Sequence, residues 1–257
     1  MDLETLLHRD PISDRGISVV MPVRNVAAHL ESAVSEITAT LEHLSRGHEI
    51  VLVNDGSTDA TSEVTEKLMT SNRRIRIVQH AACEGHGAAL RSGFSVAKYP
   101  LVLQLDCNSE FDSADLSRFL EAIDHLDIVC GFRPSPSRET GRLRTWLYRK
   151  ILRMVFAVQV RDVDCETRLY RRAALRRIPV QSSGLFANAE ILAKATFMNM
   201  LIGEVSVGDK ARRLAAGVVS RESSGHLLRE AAHVFRKPRF CTSSRESDQP
   251  EPSSNAA

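Results

Sequence analysis

The stretch LVLQLDCNSEFDSAD, residues 101–115, is an apolar run that stops at Asp106 and is followed at once by Asn108, Ser109, Glu110 and Asp112. An apolar run of that length closed by acids reads as a buried strand that delivers oxygen side chains to the edge of a sheet. Asp106, Asn108 and Glu110 alternate along an extended chain, so all three can share one side, and hard oxygen donors of this kind suit Mg²⁺ or Mn²⁺. The same residues also fit a plain polar strand exit, with Asp112 capping the helix SADLSRFLEAI that starts at Ser113.

Upstream, the pairing of a strand with a helix recurs. ISVVMPV (17–23) is a β-branched run closed by a proline, and VAAHLESAVSEITATLEHL (26–44) carries apolar residues at helical spacing. HEIVLVNDGSTD (48–59) is a second strand ending in Asn54-Asp55-Gly56-Ser57, followed by the helix ATSEVTEKLMT. RIRIVQH (74–80) reads as a third strand, EGHGAALRSGFSVAK (84–98) as a helix opened by glycine, and LDIVCGFR (126–133) as a fifth strand closing on Arg133. Strands alternating with helices of these lengths predict an α/β fold with a doubly wound, mostly parallel sheet flanked by helices on both faces. Ligands bind such sheets outside the carboxyl ends of the strands. Asn54 and Asp55, the group from Asp106 to Glu110, and Arg133 all fall at those ends.

The second half is less regular. GRLRTWLYRKILRMVFAVQV (141–160) makes a basic amphipathic helix, which either packs on the core or lies on a membrane surface. RDVDCETRLYRRAALRRI (161–178) concentrates arginines, read either as a solvated helix face or as phosphate contacts, while Asp162 and Asp164 either cap locally or join a site. A helix around 186–199, a strand at 201–207, a basic loop at 209–225 and a final helix in HLLREAAHVFRK follow. The expected organisation is an N-terminal extension (1–15), one main domain (16–208), a basic loop with a C-terminal helix (209–240) and a disordered tail (241–257).

Composition narrows the partners. Thirty-four Lys and Arg against 32 Asp and Glu give a formal charge of +2, which provides no global argument for nucleic acid. Five cysteines, with no CxxC pair, argue against a disulfide framework or a structural zinc site and fit a reducing cytoplasm. The N-terminus does not read as a secretion signal, and no stretch reaches about 18 uninterrupted apolar residues, so no transmembrane helix is predicted.

Taken together and in order, several motifs resemble the family 2 glycosyltransferases of GT-A fold. They are the first strand with Pro22 and Asn25, EIVLVNDGSTDAT (49–61), EGHGAALRSGF (84–94), LQLDCNSEFDSADL (103–116), DVDCETRLYRRAAL (162–175), NAEILAKA (188–195) and GEVSV (203–207). Within that family they resemble the branch of dolichyl-phosphate mannosyltransferase and the bacterial polyprenyl-phosphate glycosyltransferases. The resemblance implies an inverting, metal-assisted hexosyltransferase that moves a sugar from a nucleotide-sugar donor to a polyprenyl or dolichyl phosphate. It also implies a protein that is peripheral on the cytoplasmic face of a membrane. By the same resemblance Pro22, Arg24 and Asp55 lie around the nucleotide base and ribose, with Gly85 in the nucleotide-sugar set. Asp106 and Asn108, supported by Glu110, would hold the metal on the diphosphate, and Arg133 would meet phosphate charge. Asp106 and Arg168 are the expected catalytic pair, with Arg168 and Arg171 or Arg172 orienting the acceptor phosphate, for which a guanidinium fork is suited. An acceptor phosphate arrives already ionised, so positioning replaces a strong general base.

Four positions depart from the family pattern. Asn108 stands for the second acid of the metal motif, Val26 for a Glu after the first strand, Cys83 for an Asn before the Gly-rich helix, and Glu166-Thr167 for a small and aromatic pair. These departures carry an alternative expectation: a catalytically impaired GT-A domain that binds a nucleotide sugar or a partner protein in a regulatory or scaffolding role.

Overall fold

Four strand-forming runs lie side by side in one half of the sheet. In the computed structural model, which describes residues 12–43, 47–107, 113–133, 159–163, 165–207 and 224–239, these are β1 (Ile17–Val23), β2 (His48–Asp55), β3 (Ile75–His80) and β4 (Leu101–Gln104). They are joined by α1 (Ala27–His43), α2 (Thr61–Ser71) and α3 (His86–Val96). After β4 come α4 (Ser113–Ile123), β5 (Ile128–Phe132), β6 (Arg168–Arg171), the single turn α5 (Arg172–Leu175), α6 (Ala187–Phe197), β7 (Ile202–Ser206) and α7 (Ser224–Arg236). The sheet of the described residues has seven strands in the order β3-β2-β1-β4-β6-β5-β7. β1 pairs in parallel with β2 and β4, β2 with β3, and β5 with β7.

One strand escaped the pattern reading. β6 is inserted antiparallel between β4 and β5, with Gln104 opposite Arg168 and Leu101 opposite Arg171. Its sequence RLYR puts Leu169 and Tyr170, both fully buried, on opposite faces between two arginines. Alternation cannot announce a four-residue strand whose ends look solvated.

The two faces of the sheet carry separate cores, as both-sided burial of a parallel sheet requires. On one face α1, through Leu30, Val34, Ile37 and Leu41, and α4, through Leu116, Phe119 and Ile123, cover Val19, Met21, Ile50, Leu52 and Leu103. On the other α3, α6 and α7 cover Val20, Val53, Val102 and Tyr170. Each fully buried side chain of this kind contributes roughly 1.5–3 kcal/mol. α3 approaches closely because Gly93 faces the sheet, where an added Cβ would fall 2.4 Å from Val20 Cγ1.

A crevice position follows from β1. Its ladder to β4 ends at the bond from Leu105 N–H to the Val20 carbonyl, 3.1 Å, while pairing with β2 continues through Pro22 and Val23. By alternation Pro22 presents its missing N–H on the β4 side, where no ladder bond is needed. The two central strands part there.

Candidate active site

Asp55 closes β2 beside that parting. It is 5% exposed, and its two carboxylate oxygens accept from His80 Nδ1 (2.8 Å), Glu84 N–H (2.8 Å), Gly85 N–H (2.9 Å) and the Cys83 thiol (3.3 Å). Burial by itself would raise its pKa, but these hydrogen bonds outweigh burial and hold the carboxyl below the ordinary carboxylate range. The register explains His80, which ends β3 directly opposite Asp55. Its other ring nitrogen lies 2.9 Å from Ser92 Oγ on α3. His80 was not among the expected site residues, although its place at the end of a neighbouring strand was a usable signal.

Asp55 thereby sets the entry to α3. Gly85 has φ +101°, and a Cβ there would fall 2.4 Å from the Ser183 carbonyl oxygen, so glycine is required. That same carbonyl accepts from Gly87 N–H (2.7 Å) and Ala88 N–H (3.3 Å), so the entry to α3 is capped from within the protein. Arg24 is exposed at the end of β1, and its charge reaches Cys83. Asn25 ties its loop to the next one by accepting from Thr58 N–H at 2.8 Å, and Val26, at the position of the missing Glu, donates its N–H to Thr61 Oγ1 at 2.9 Å.

Asp106 lies just past β4, partly exposed at the same edge. Asn108 and Glu110 lie outside the described residues, and so do Asp164 and the expected amphipathic helix up to residue 158. Among the described residues no three His, Cys, Asp or Glu converge as a metal site. Asp106 on its own fits a hard divalent cation: it is a strand-end carboxylate at the ligand edge. Neighbouring Cys107 is a poor rival donor, since it is a buried, soft sulfur and Mg²⁺ or Mn²⁺ prefer hard oxygen; burial and then the charge of Asp106 also push its thiol pKa far above the ordinary range.

The arginines are placed differently from expectation. Arg168 is fully buried, and its guanidinium donates to the carbonyls of Val163, Cys165 (3.2 Å) and Asn188 (2.8 Å). It ties Val163 and Cys165 to the start of α6, and a group sealed in this way does not touch an acceptor. Arg171 sits opposite Leu101, at the far edge of the sheet from Asp106, and donates to the carbonyls of Ile123, Asp124 and Leu126. Arg172 likewise serves the carbonyls of Ala97 and Lys98. The acceptor-phosphate assignments of Arg168, Arg171 and Arg172 are corrected accordingly: antiparallel β6 carries 171 and 172 away from the ligand edge. Arg133 does remain at the edge, forked onto Asp162 at 2.7 and 3.1 Å and about one-third exposed.

Beneath the edge lies a set of polar residues that the sequence reading had not assembled as a set. Gln104, Tyr170 and Asn188 form a buried polar chain that reaches His86, and His86 lies 3.9 Å from Glu166. The charge of Glu166 is felt at Cys107 together with that of Asp106, so all these groups share one end of the sheet. Farther in, Glu190 and Lys194 form a fully buried ion pair at 2.6 Å, and Glu190 accepts from the N–H groups of Gln181 and Ser182, which steadies the segment carrying Ser183.

Residues 18–179, well over half of the chain, match the family described as Glycosyl transferase family 2. The dodecaprenyl-phosphate galacturonate synthase of Rhizobium johnstonii is 24% identical over 176 residues, which cover 66% of this chain but only 52% of that protein; the chain thus spans about half of its relative. The polyprenol monophosphomannose synthase of Mycolicibacterium smegmatis is 26% identical over 230 residues, covering 83% of each. Among solved structures, glucosyl-3-phosphoglycerate synthase of Mycobacterium tuberculosis, in complex with Mn²⁺, UDP-glucose and phosphoglyceric acid, superposes with a TM-score of 0.63 at 19% identity, over 90% of this chain and 84% of that one. At that identity the likeness is one of fold, and the fold is GT-A.

Proposed function

The chain belongs to glycosyl transferase family 2, and from that premise we propose that it transfers a sugar from a nucleotide-sugar donor to a polyprenyl phosphate, with inversion and with help from Mg²⁺ or Mn²⁺. An oxygen of the acceptor phosphate displaces the nucleoside diphosphate at the anomeric carbon. The observation that carries this reading is the convergence of Asp55, Gly85 and Asp106 on the edge where β1 and β4 part, the place where open α/β sheets take ligands. The acceptor class rests on the relatives, two of which are named for polyprenyl-type phosphates.

Within this reading the chain's residues divide the work. Pro22, Arg24 and the Asp55-anchored turn at Gly85 form the nucleotide wall, and Arg133 stands at the edge for phosphate charge. Asp106, with Asn108 and Glu110, would hold the cation, which when bound supplies positive charge against the leaving diphosphate. The site of action is a membrane surface on the cytoplasmic side, with the protein peripheral to it. No helix among the described residues is long and apolar enough to cross a membrane.

The test is transfer of label from UDP- and GDP-sugars to a short-chain polyprenyl phosphate in the presence of Mn²⁺. Asp106→Asn should abolish both the transfer and the Mn²⁺-dependent part of nucleoside diphosphate binding while leaving the fold intact, because a strand-end carboxylate adds little to the core. Unchanged metal-dependent affinity would sink the Asp106 assignment. Asn108→Asp should tighten the metal, since a carboxylate attracts the cation more strongly than an amide does.

One observation favours a second reading. Glu166 brings negative charge beside Asp106 and Cys107, where a diphosphate would be repelled. A GT-A domain that binds nucleotide sugar without turning it over would show calorimetric binding and no labelled lipid, and Glu166→Gly would then improve affinity.

A further inference from the structure

The turn that opens α3 is held from two sides, and the second side leads to α7. From β2, Asp55 takes the N–H groups of Glu84 and Gly85. The N–H groups of Gly87 and Ala88 have no side-chain cap, because the capping position is the glycine at 85, and they go to the Ser183 carbonyl instead. The fit is close: a Cβ on Gly87 would fall 2.3 Å from the Ser182 carbonyl oxygen and 3.0 Å from that of Gly184. Where residues 182–184 lie therefore decides where the entry to α3 lies.

Two carboxylates fix that segment by its own N–H groups. Glu190 of α6 accepts from Gln181 and Ser182, both at 2.8 Å, and is itself locked to Lys194. Glu230 of α7 accepts from Gly184 at 2.9 Å. N–H groups are thus pinned on both sides of Ser183, whose carbonyl serves α3. The end of α7 and the residues after it grip the segment again: Phe235 stands edge-to-face with Phe186 at 6.2 Å, Gln181 Oε1 accepts from Arg239 N–H at 2.8 Å, and Gln181 Nε2 donates to the Lys237 carbonyl at 3.2 Å. Glu230 is not placed there for packing alone. Among the described residues Gly184 N–H is its hydrogen-bond partner, through Oε1, and Oε2 is buried with none. A carboxylate oxygen sealed in that way costs stability. An apolar side chain would remove that cost but would leave Gly184 N–H without its acceptor.

We propose that Glu230 is a positioning residue for the donor site: through Gly184 and the Ser183 carbonyl, α7 holds the turn at Gly85 in place for the nucleotide sugar. The ligand half rests on the function proposed above, and the coupling of α7 to the turn stands without it. A wall of the site that is braced from behind in advance needs no reordering when the nucleotide arrives.

Amide hydrogen exchange and nucleotide titration on the full chain test the two halves. Glu230→Ala should speed exchange at Gly184, Gly87 and Ala88 by roughly tenfold or more, and should leave Glu84 and Gly85, which Asp55 holds, unchanged. It should weaken UDP, or GDP if that is what the wild type binds, by roughly threefold or more. Glu230→Gln keeps an acceptor for Gly184 and should restore both readouts, whereas Glu230→Met fills the space without one and should not. Ile37→Val on α1, a destabilising change on the opposite face of the sheet, does not touch the segment and should leave both readouts at wild-type values. Unchanged exchange at Gly87 and Ala88 in Glu230→Ala, or rescue by Met as good as that by Gln, overturns the coupling. Faster exchange with unchanged diphosphate affinity, or an equal loss of affinity in Ile37→Val, overturns the donor-site role. A wild type that binds neither diphosphate overturns the function proposed above and the ligand half with it, while the exchange measurements still decide the coupling.

Discussion

Asp55 and Arg168 are buried charges of opposite sign on strands to either side of β1 and β4, and they are satisfied in opposite ways. Asp55 collects donors: two backbone N–H groups, an imidazole and a thiol. Arg168 collects acceptors: three backbone carbonyls. Among the described residues neither forms an ion pair with an opposite formal charge, apart from the contact of Asp55 with His80. The carboxylate shapes the turn that opens α3 at the ligand edge, and the guanidinium holds Val163, Cys165 and the start of α6 beneath it. The difference lies in what each leaves behind when removed. A buried N–H without a partner is rarer and costlier than a carbonyl with one lone pair unfilled.

Asp55→Ala should therefore be the larger loss. It orphans Glu84 N–H and Gly85 N–H and frees His80, at a cost on the order of 3 kcal/mol, read as a shift of the urea midpoint. A loss under about 1 kcal/mol would mean that the turn holds itself. Arg168→Met fills similar space, leaves three carbonyls short of a donor and removes a cation that was expensive to desolvate. The net should be about 1–2 kcal/mol, smaller than for Asp55 although Arg168 is the more deeply buried of the two. If the order reverses, the guanidinium is the main brace of the fold and the contrast fails.

The same contrast explains what could be read beforehand. The strands at 17–23, 48–55, 75–80 and 128–132 and the helix at 113–123 were legible because apolar runs of fixed period announce them. Asp55 and Asp106 were legible too, since a motif at the end of a parallel strand can only face the ligand edge. Arg168 was not. Its destination depends on carbonyls of residues 163, 165 and 188, brought together by an antiparallel strand that no local alternation reveals. In a run with Arg171 and Arg172 it looks like one more solvated cation, and so Tyr170, Gln104, Asn188 and His86 were invisible as a set. Asn108 and Glu110 of the expected metal group lie outside the described residues, so that part of the reading stands on sequence and family alone.

Acid separates the two charges next. The folded pKa of Asp55 is depressed, so its stabilisation is present above the unfolded value near 3.9 and is lost as pH falls through the folded one. Glu49 behaves alike: burial would raise its pKa, and the bonds from Ser18, Lys98 and Arg76 outweigh it. Stability measured from pH 7 to pH 3 should fall in the wild type. Asp55→Asn should start lower and fall less steeply. Arg168→Met should be parallel to the wild type, because a guanidinium stays charged throughout. An unchanged acid slope in Asp55→Asn would show that the carboxylate is already protonated in the native state.

Arg133 falls between these two cases, and the smallest effect is expected there. Like Arg168 it is fixed by a fork, but onto a carboxylate, Asp162, and about one-third of its side chain meets solvent. Water screens such a pair, so Arg133→Ala should lower stability by no more than about 1 kcal/mol. Its weight lies in function, since it stands at the ligand edge, whereas Arg168 lies beneath it. A diphosphate arriving there would compete with Asp162 for the guanidinium, and Arg133→Ala should weaken UDP or GDP by a few-fold while leaving the nucleoside alone. Asp162→Asn, which keeps the shape and loosens the grip, should tighten the diphosphate. If both variants leave the diphosphate affinity unchanged, Arg133 is only a brace between the end of β5 and residue 162, and it belongs with Arg168 among the arginines that hold the site without meeting its ligand.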